Sequence, residues 1–195
     1  MNGKAYSSHL NCAPYFNIIA NVAKSVGAQT YLELGLWDAK NHRSMLEIVP
    51  YCVGVDCEKM FEGEIPHFHH MTTDAFFEQN TEKFDIIFID ASHEFSQVAV
   101  DFENSIKVLE KHGVIFLHDT DPAEEYMIVK KLCNDTYKIT EYIRKNHPDF
   151  SIVTLPVSNM GLSICNRTSD LRHKRFSSLS TSFTNTLFEN IQHIG

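Results

Sequence analysis

The chain has 195 residues, 43% of them hydrophobic, and a formal net charge of −8, enough for one domain with a substantial core. Its Lys and Arg residues form no cluster before residue 166, which argues against nucleic acid as the main partner, because phosphate binding relies on massed positive charge. No apolar run approaches the ~20 residues of a membrane helix, and "MNGKAYSSHLNC" lacks the apolar stretch of a secretory signal.

In chain order, Phe16, Ile19, Ala20, Ala23 and Val26 have helical spacing, with Pro14 suited to the first turn and Gly27 to the stop. "TYLELG" reads as a short strand ending at Gly35, and residues 39–48 as a helix burying Met45, Leu46 and Ile48. "YCVGVD" is a second strand ending on Asp56, and "HFHHM" a weaker one before "TTD". "KFDIIFID" is the clearest buried strand, followed by a helix marked by Val98, Phe102, Ile106 and Leu109. Gly113 introduces the strand "GVIFLHD", and Pro122 is expected to open a helix running roughly to Cys133. After a polar region, "FSIVTL" and "GLSIC" form a strand pair whose short link requires it to be antiparallel.

Strands alternating with helices predict an α/β fold: a Rossmann-like three-layer sandwich with a mostly parallel sheet. One domain is expected over residues 1–166, with 1–27 as an amino-terminal helical segment. Residues 167–195 read as a Ser/Thr-rich tail carrying "RHKR", with Leu187, Ile191 and Ile194 spaced for a short helix. The five cysteines (Cys12, Cys52, Cys57, Cys133, Cys165) form neither a CxxC pair nor a zinc-like spacing. Reduced cysteines and a soluble cytoplasmic protein are therefore the expectation.

Ligands of open parallel sheets bind beyond the carboxyl ends of the strands. Glu33, Asp56, Asp90 and Asp119 fall at such ends or just past them, and Asp74 follows the weaker strand. Any one of them could be a turn or cap residue, but acid after strand upon strand is harder to assign to turns. Gly35 followed by Asp56 has about the ~20-residue spacing of a nucleotide-binding start. There is no G-x-G-x-x-G, so a nucleoside without pyrophosphate fits better.

"YLELGLWDAKNH", "VGVD", "TTDAFF" and "FDIIFIDASHEFSQVAVD…GVIFLHDT" resemble the successive motifs of class I S-adenosylmethionine-dependent methyltransferases. Within them the match is to the group resembling macrocin O-methyltransferase and cephalosporin hydroxylase. The signature D-G-S-H-x-Y-x-x-V-x-x-D is matched by Asp90-Ala91-Ser92-His93-Glu94-Phe95, then Val98 and Asp101. The resemblance covers roughly residues 28–166 and implies a seven-stranded sheet whose last strand is antiparallel.

The resemblance implies that Glu33, Gly35 and the Leu36 backbone border the methionine moiety of the cofactor. Asp56 would accept the ribose hydroxyls, Asp74 and Ala75 would meet the adenine edge, and Asp90 would lie beside the sulfonium. Where the family has Gly-Gly-Ser-Thr, this chain has Ala39-Lys40-Asn41-His42. Asn41 would stand in for the serine as a donor to the methionine carboxylate, and the missing glycines would leave less room for close backbone approach.

In related metal-dependent O-methyltransferases, acids after the fourth and fifth strands hold a divalent cation. Asp90 and Asp119 match those positions, with Thr120 at the adjacent third. Such a cation lowers the pKa of an acceptor hydroxyl and orients it. Oxygen ligands suit Mg, and added imidazoles widen the choice toward Mn, Fe or Zn. His93, Asp90 and His118 are the catalytic candidates, either imidazole serving as ligand or general base.

Plainer readings stand beside these. His93 could order a loop at a helix start, and His118 could be a satisfied core histidine. His67 and His69 of "HFHH" would share a strand face, yet a polar edge strand fits them better than a metal site. Trp37 and Phe95 could border the pocket, although aromatic residues near strand ends more often serve packing. The resulting expectation is methyl transfer, metal-assisted, to a small hydroxylated acceptor such as a sugar, using S-adenosylmethionine and Mg or Mn. Its rivals are metal-independent chemistry on the same fold and a non-catalytic module binding cofactor or a protein partner. No nucleic acid or membrane partner is implied, and a homodimer is left open.

Overall fold

The computed structural model describes residues 15–169; Pro14, Cys12 and the tail beyond Ser169 lie outside the described residues. Seven strands form one sheet in the order β3-β2-β1-β4-β5-β7-β6. They are β1 (Thr30–Leu34), β2 (Tyr51–Asp56), β3 (Phe68–His70), β4 (Phe84–Ile89), β5 (Leu109–His118), β6 (Phe150–Leu155) and β7 (Leu162–Arg167). β1 through β5 pair in parallel, and β7 runs antiparallel between β5 and β6, as the sequence leads one to expect. The five α-helices of the described residues are α1 (Tyr15–Val26), α2 (Lys40–Leu46), α3 (Thr73–Gln79), α4 (Phe95–Val108) and α5 (Ile139–Asn146).

The pleat sends alternate residues to opposite faces, so the apolar central strands build two cores. Ile86 and Phe88 of β4 join Tyr31, Val114 and Phe116 under α1, whose Ile19, Val22, Ala23 and Val26 face the sheet. Ile87 and Ile89 join Leu32, Leu34, Ile115 and Leu117 on the other face, under Val98 and Phe102 of α4 and Ile139 and Ile143 of α5. This is the three-layer sandwich.

Several expectations change. Leu109 does not close the helix: α4 ends at Val108, and Leu109 is extended (φ −73°, ψ 129°) as the first residue of β5. It is buried all the same, opposite Phe84, and the register then shifts so that Ile86 faces Val114. Helical spacing located its burial and missed its conformation. Second, Pro122 opens no α-helix over the span up to Cys133. The amides of Asp121 and Ala123 donate to Met160 and Asn159 of the β6–β7 loop, and Ile128 and Leu132 bond three residues back. The segment is therefore a series of turns with 3₁₀ pieces at Glu125–Met127 and Thr136–Lys138. Third, the polar stretch that follows contains α5, and the helix expected over residues 39–48 spans only Lys40–Leu46.

Among the described residues no helix is long and apolar enough to cross a membrane. β3 is the short edge strand expected of "HFHH". His67 stands outside it at φ 54°, with its ring on Tyr51, while His69 packs on Phe76 and His70 faces the Cys57 carbonyl.

Candidate active site

The carboxyl ends of β1, β2 and β4 meet at Gly35. Its amide donates to the Val55 carbonyl at 2.8 Å, and the Asp90 amide donates to Leu34 at 2.8 Å. Gly35 has φ +85°, and a Cβ there would lie 2.3 Å from the Asp90 carbonyl oxygen and 2.5 Å from the Ala91 Cα. Only glycine lets the turn after β1 press this closely on the end of β4.

Asp56, half-buried at the end of β2, secures that turn: Oδ2 accepts the amides of Leu36 at 2.7 Å and Trp37 at 3.2 Å, and Oδ1 accepts that of Glu58 at 2.9 Å. The Leu36 amide is thus committed to Asp56. Glu33 is only 2% exposed and accepts from the Tyr31 hydroxyl at 3.0 Å, the Asn41 amide at 2.9 Å and His42 Nδ1 at 3.0 Å. The second N–H of Asn41 reaches the Tyr31 hydroxyl at 2.7 Å. Both donors of Asn41 are therefore used inside the protein, and its Oδ1, an acceptor, is buried without a partner. On the first turn of α3, Asp74 is exposed and accepts from Gln97 at 3.2 Å. The Ala75 amide is capped by the Thr72 hydroxyl at 3.2 Å.

At the ends of β4 and β5 the acids meet imidazoles instead. His118 Nδ1 lies 3.3 Å from Asp90 Oδ1 and 3.1 Å from Asp119 Oδ1. His93 Nε2 lies 3.4 Å from Asp119 Oδ2, and His93 Nδ1 bonds the Leu132 carbonyl. A carbonyl only accepts, so Nδ1 carries a proton, and Nε2 is the ring nitrogen that faces Asp119. Asp119 is buried, adopts the left-handed conformation (φ 60°), and accepts from the Cys133 thiol at 3.5 Å. A non-glycine residue held there is strained, and such strain concentrates at functional sites.

The electrostatics follow from this crowding. Burial alone would depress His118, but the Asp90 charge and hydrogen bonds to Asp119 and Asp90 raise it to about 10. Burial pushes Asp90 above its ordinary value, with Asp119 adding to the shift and His118 opposing it. Asp119 also feels burial, yet His118 and His93 hold it below the usual carboxylate range. The resting state is a charged His118–Asp119 pair with Asp90 as the acid more ready to take a proton.

Asp90, His93 and Asp119 each offer a ligand atom, and these atoms lie within 4.8 Å of one another. Two carboxylates and an imidazole whose other nitrogen is fixed by a carbonyl form a donor set suited to a divalent cation. Thr120 is not brought to this group; it is buried, and its hydroxyl accepts from Ser163 at 2.8 Å. His118, a catalytic candidate that could equally be a satisfied core histidine, is buried and paired with both carboxylates.

Sequence reasoning missed several participants. Tyr15 opens α1 with its ring 4.4 Å from that of His118 and 5.6 Å from Phe88. Burial and the charges of Asp90, Glu33, Asp38 and Asp119 keep its phenol protonated. Nothing local in the sequence links it to the strand ends. Tyr31 could have been found, since residues two apart on a strand share a face with Glu33. Leu132 and Cys133 were hidden by the helix expected there.

The sequence matches a family described as a methyltransferase domain over residues 16–120, more than half of the chain. No curated protein matches it. Among solved structures it resembles an O-methyltransferase from Bacillus cereus in complex with SAH (17% identity, 82% of this chain and 83% of that one, TM-score 0.57). It also resembles the O-methyltransferase TomG from Streptomyces achromogenes in complex with SAM (14%, 82% and 82%, 0.60). A third likeness is to an SAH-bound methyltransferase from Podospora anserina (11%, 79% and 78%, 0.57). At these identities the structures establish the fold. Together with the family match, they place the chain among the class I S-adenosylmethionine-dependent methyltransferases.

Proposed function

We propose that this protein is an O-methyltransferase that moves the methyl group of S-adenosylmethionine to a small hydroxylated acceptor such as a sugar, with a divalent cation, Mg or Mn, at Asp90, His93 and Asp119. The convergence of those three side chains at the ends of β4 and β5 is the observation that carries the reading. It lies beside the crevice edged by Gly35, Asp56 and Asp74, where the cofactor is proposed to bind. A bound cation would lower the pKa of the acceptor hydroxyl. The protein's part is alignment: the Leu132 carbonyl fixes the His93 ring, His118 holds Asp90 and Asp119 together, and Gly35 brings the cofactor crevice against Asp90. The described cysteines are free, in keeping with a reducing cytoplasmic setting.

A second reading has its own support. His118 already supplies a positive charge between the two carboxylates, which favours metal-free transfer with His93 as base. A methyl-release assay with S-adenosylmethionine and a panel of sugar and phenolic acceptors decides between them. Chelator should abolish turnover and added Mg or Mn restore it. Asp119→Asn should lower turnover more than tenfold while SAH affinity, read by calorimetry, stays within about twofold. Full turnover in excess chelator would reject the cation and leave His93 as the base.

A further inference from the structure

Helices α3 and α4 are joined by one side-chain amide. Nε2 of Gln97, on the first turn of α4, lies 3.4 Å from Thr73 Oγ1, 3.2 Å from Asp74 Oδ1 and 3.1 Å from Asp101 Oδ1. Carboxylate oxygens only accept, so chemistry fixes which end of the amide faces them. Its two N–H groups bridge two acids that would otherwise repel.

One of those acids is anchored and the other faces outward. Asp101 is fully buried, with Oδ2 unpartnered, and burial raises its carboxyl above the ordinary value. Asp74 is exposed, just past β3. The Met71 amide, between β3 and α3, donates to the Asp56 carbonyl at 3.0 Å, so α3 starts beside the end of β2. A free aspartate at such a place samples several rotamers. Here the bond to Gln97 selects one, holding Oδ1 and leaving Oδ2 to accept from a ligand.

We propose that Gln97 is a positioning residue for the cofactor's base: it fixes the Asp74 carboxylate to accept the 6-amino group of adenine, and so makes the site discriminate against a purine with an oxo group there. The inference rests on the S-adenosylmethionine reading above and extends it to base specificity. An oxo group offers no proton to Asp74 and turns acceptor toward acceptor.

The test is calorimetric titration with SAH and with its 6-oxo analogue, S-inosylhomocysteine, and needs no acceptor substrate. The parent protein should prefer SAH. Gln97→Met keeps the helix and the bulk but donates nothing. It should weaken SAH binding about fivefold, the worth of one ordinary hydrogen bond, and leave the 6-oxo analogue nearly unchanged. Asp74→Ala should narrow the preference in the same way, and the double variant should narrow it no further, as for residues acting in series. Equal losses for both nucleosides, or no loss in either variant, would overturn the role of Gln97. Parent protein that binds neither nucleoside would sink the cofactor reading and this inference together, whereas binding with an unaltered preference sinks the inference alone. Should Gln97→Met fail to fold, Asp74→Ala at its exposed position still decides: an unchanged preference rejects the proposal.

Discussion

At the β1–β2 end of the crevice, Asp56 takes three backbone amides and Glu33 is enclosed by Tyr31, Asn41 and His42. At the β4–β5 end, Asp90 and Asp119 share one imidazole and Asp119 faces a second. Backbone amides neither titrate nor leave, so the turn that Asp56 holds is a fixed ledge. Imidazoles can carry a proton or ligate a metal. At the second end one of them, His118, has its pKa raised to about 10 between two carboxylates, so its charge can change with pH. One sheet edge therefore carries a rigid half and a chemically adjustable half, and they touch at Gly35.

The largest effect should come from breaking that junction. Gly35→Ala would place a methyl group 2.3 Å from the Asp90 carbonyl oxygen, at a φ of +85°. The obstacles are backbone atoms, which cannot swing aside. The variant should lose about 3 kcal/mol or more of stability, read as a shift in urea midpoint, or fail to accumulate as folded protein. Near-parental stability would mean that the two halves do not bear on each other as described.

A smaller effect should sharpen the contrast in titration. With chelator present, His118 has a folded pKa of about 10 against an ordinary 6.5. Its stabilising contribution is fully present below the unfolded value and is lost as pH rises through about 10. Urea unfolding at pH 7 and pH 10 should therefore show a larger loss for the parent protein than for His118→Gln, which lacks the titrating group. Lysine and tyrosine titrations are common to both proteins and cancel in the difference. Equal losses would show that His118 adds no pH-dependent stability to the β4–β5 end.

How much of this was legible in the sequence depended on whether the signal was local. The buried parallel strands were readable because both faces are apolar, leaving continuous runs such as "FDIIFI". Asp90, His93, His118 and Asp119 were readable because strand ends in such sheets converge. Tyr15 was not, because it reaches His118 across the sheet from a helix more than a hundred residues away in sequence. Thr120 stood next to Asp119 in sequence, yet the chain turns at Asp119 and sends the threonine to Ser163. The segment after Pro122 misled because its amides are claimed by a loop that sequence periodicity cannot see.

The smallest effect concerns the loop that departs from the family's glycines. Ala39 adopts φ 57° and is fully buried beside Leu36, Phe61 and Ile65, whereas Lys40 begins α2 with an exposed side chain paired to Asp38. Changing Ala39 to Gly relieves roughly 1–2 kcal/mol of left-handed strain. It forfeits about 0.8 kcal/mol of buried methyl and adds unfolded-state freedom worth roughly 0.4–1 kcal/mol. These nearly cancel, so Ala39→Gly should leave the urea midpoint almost where it was. Lys40→Gly has no strain to relieve, loses helix propensity, and should destabilise by about 0.5–1 kcal/mol. Because the Ala39 methyl points into an apolar cluster, its removal should leave SAH affinity unchanged. A clear tightening of SAH binding in Ala39→Gly would instead show that the methyl crowds the ligand, and that the β1–β2 ledge is less fixed than its hydrogen bonds imply.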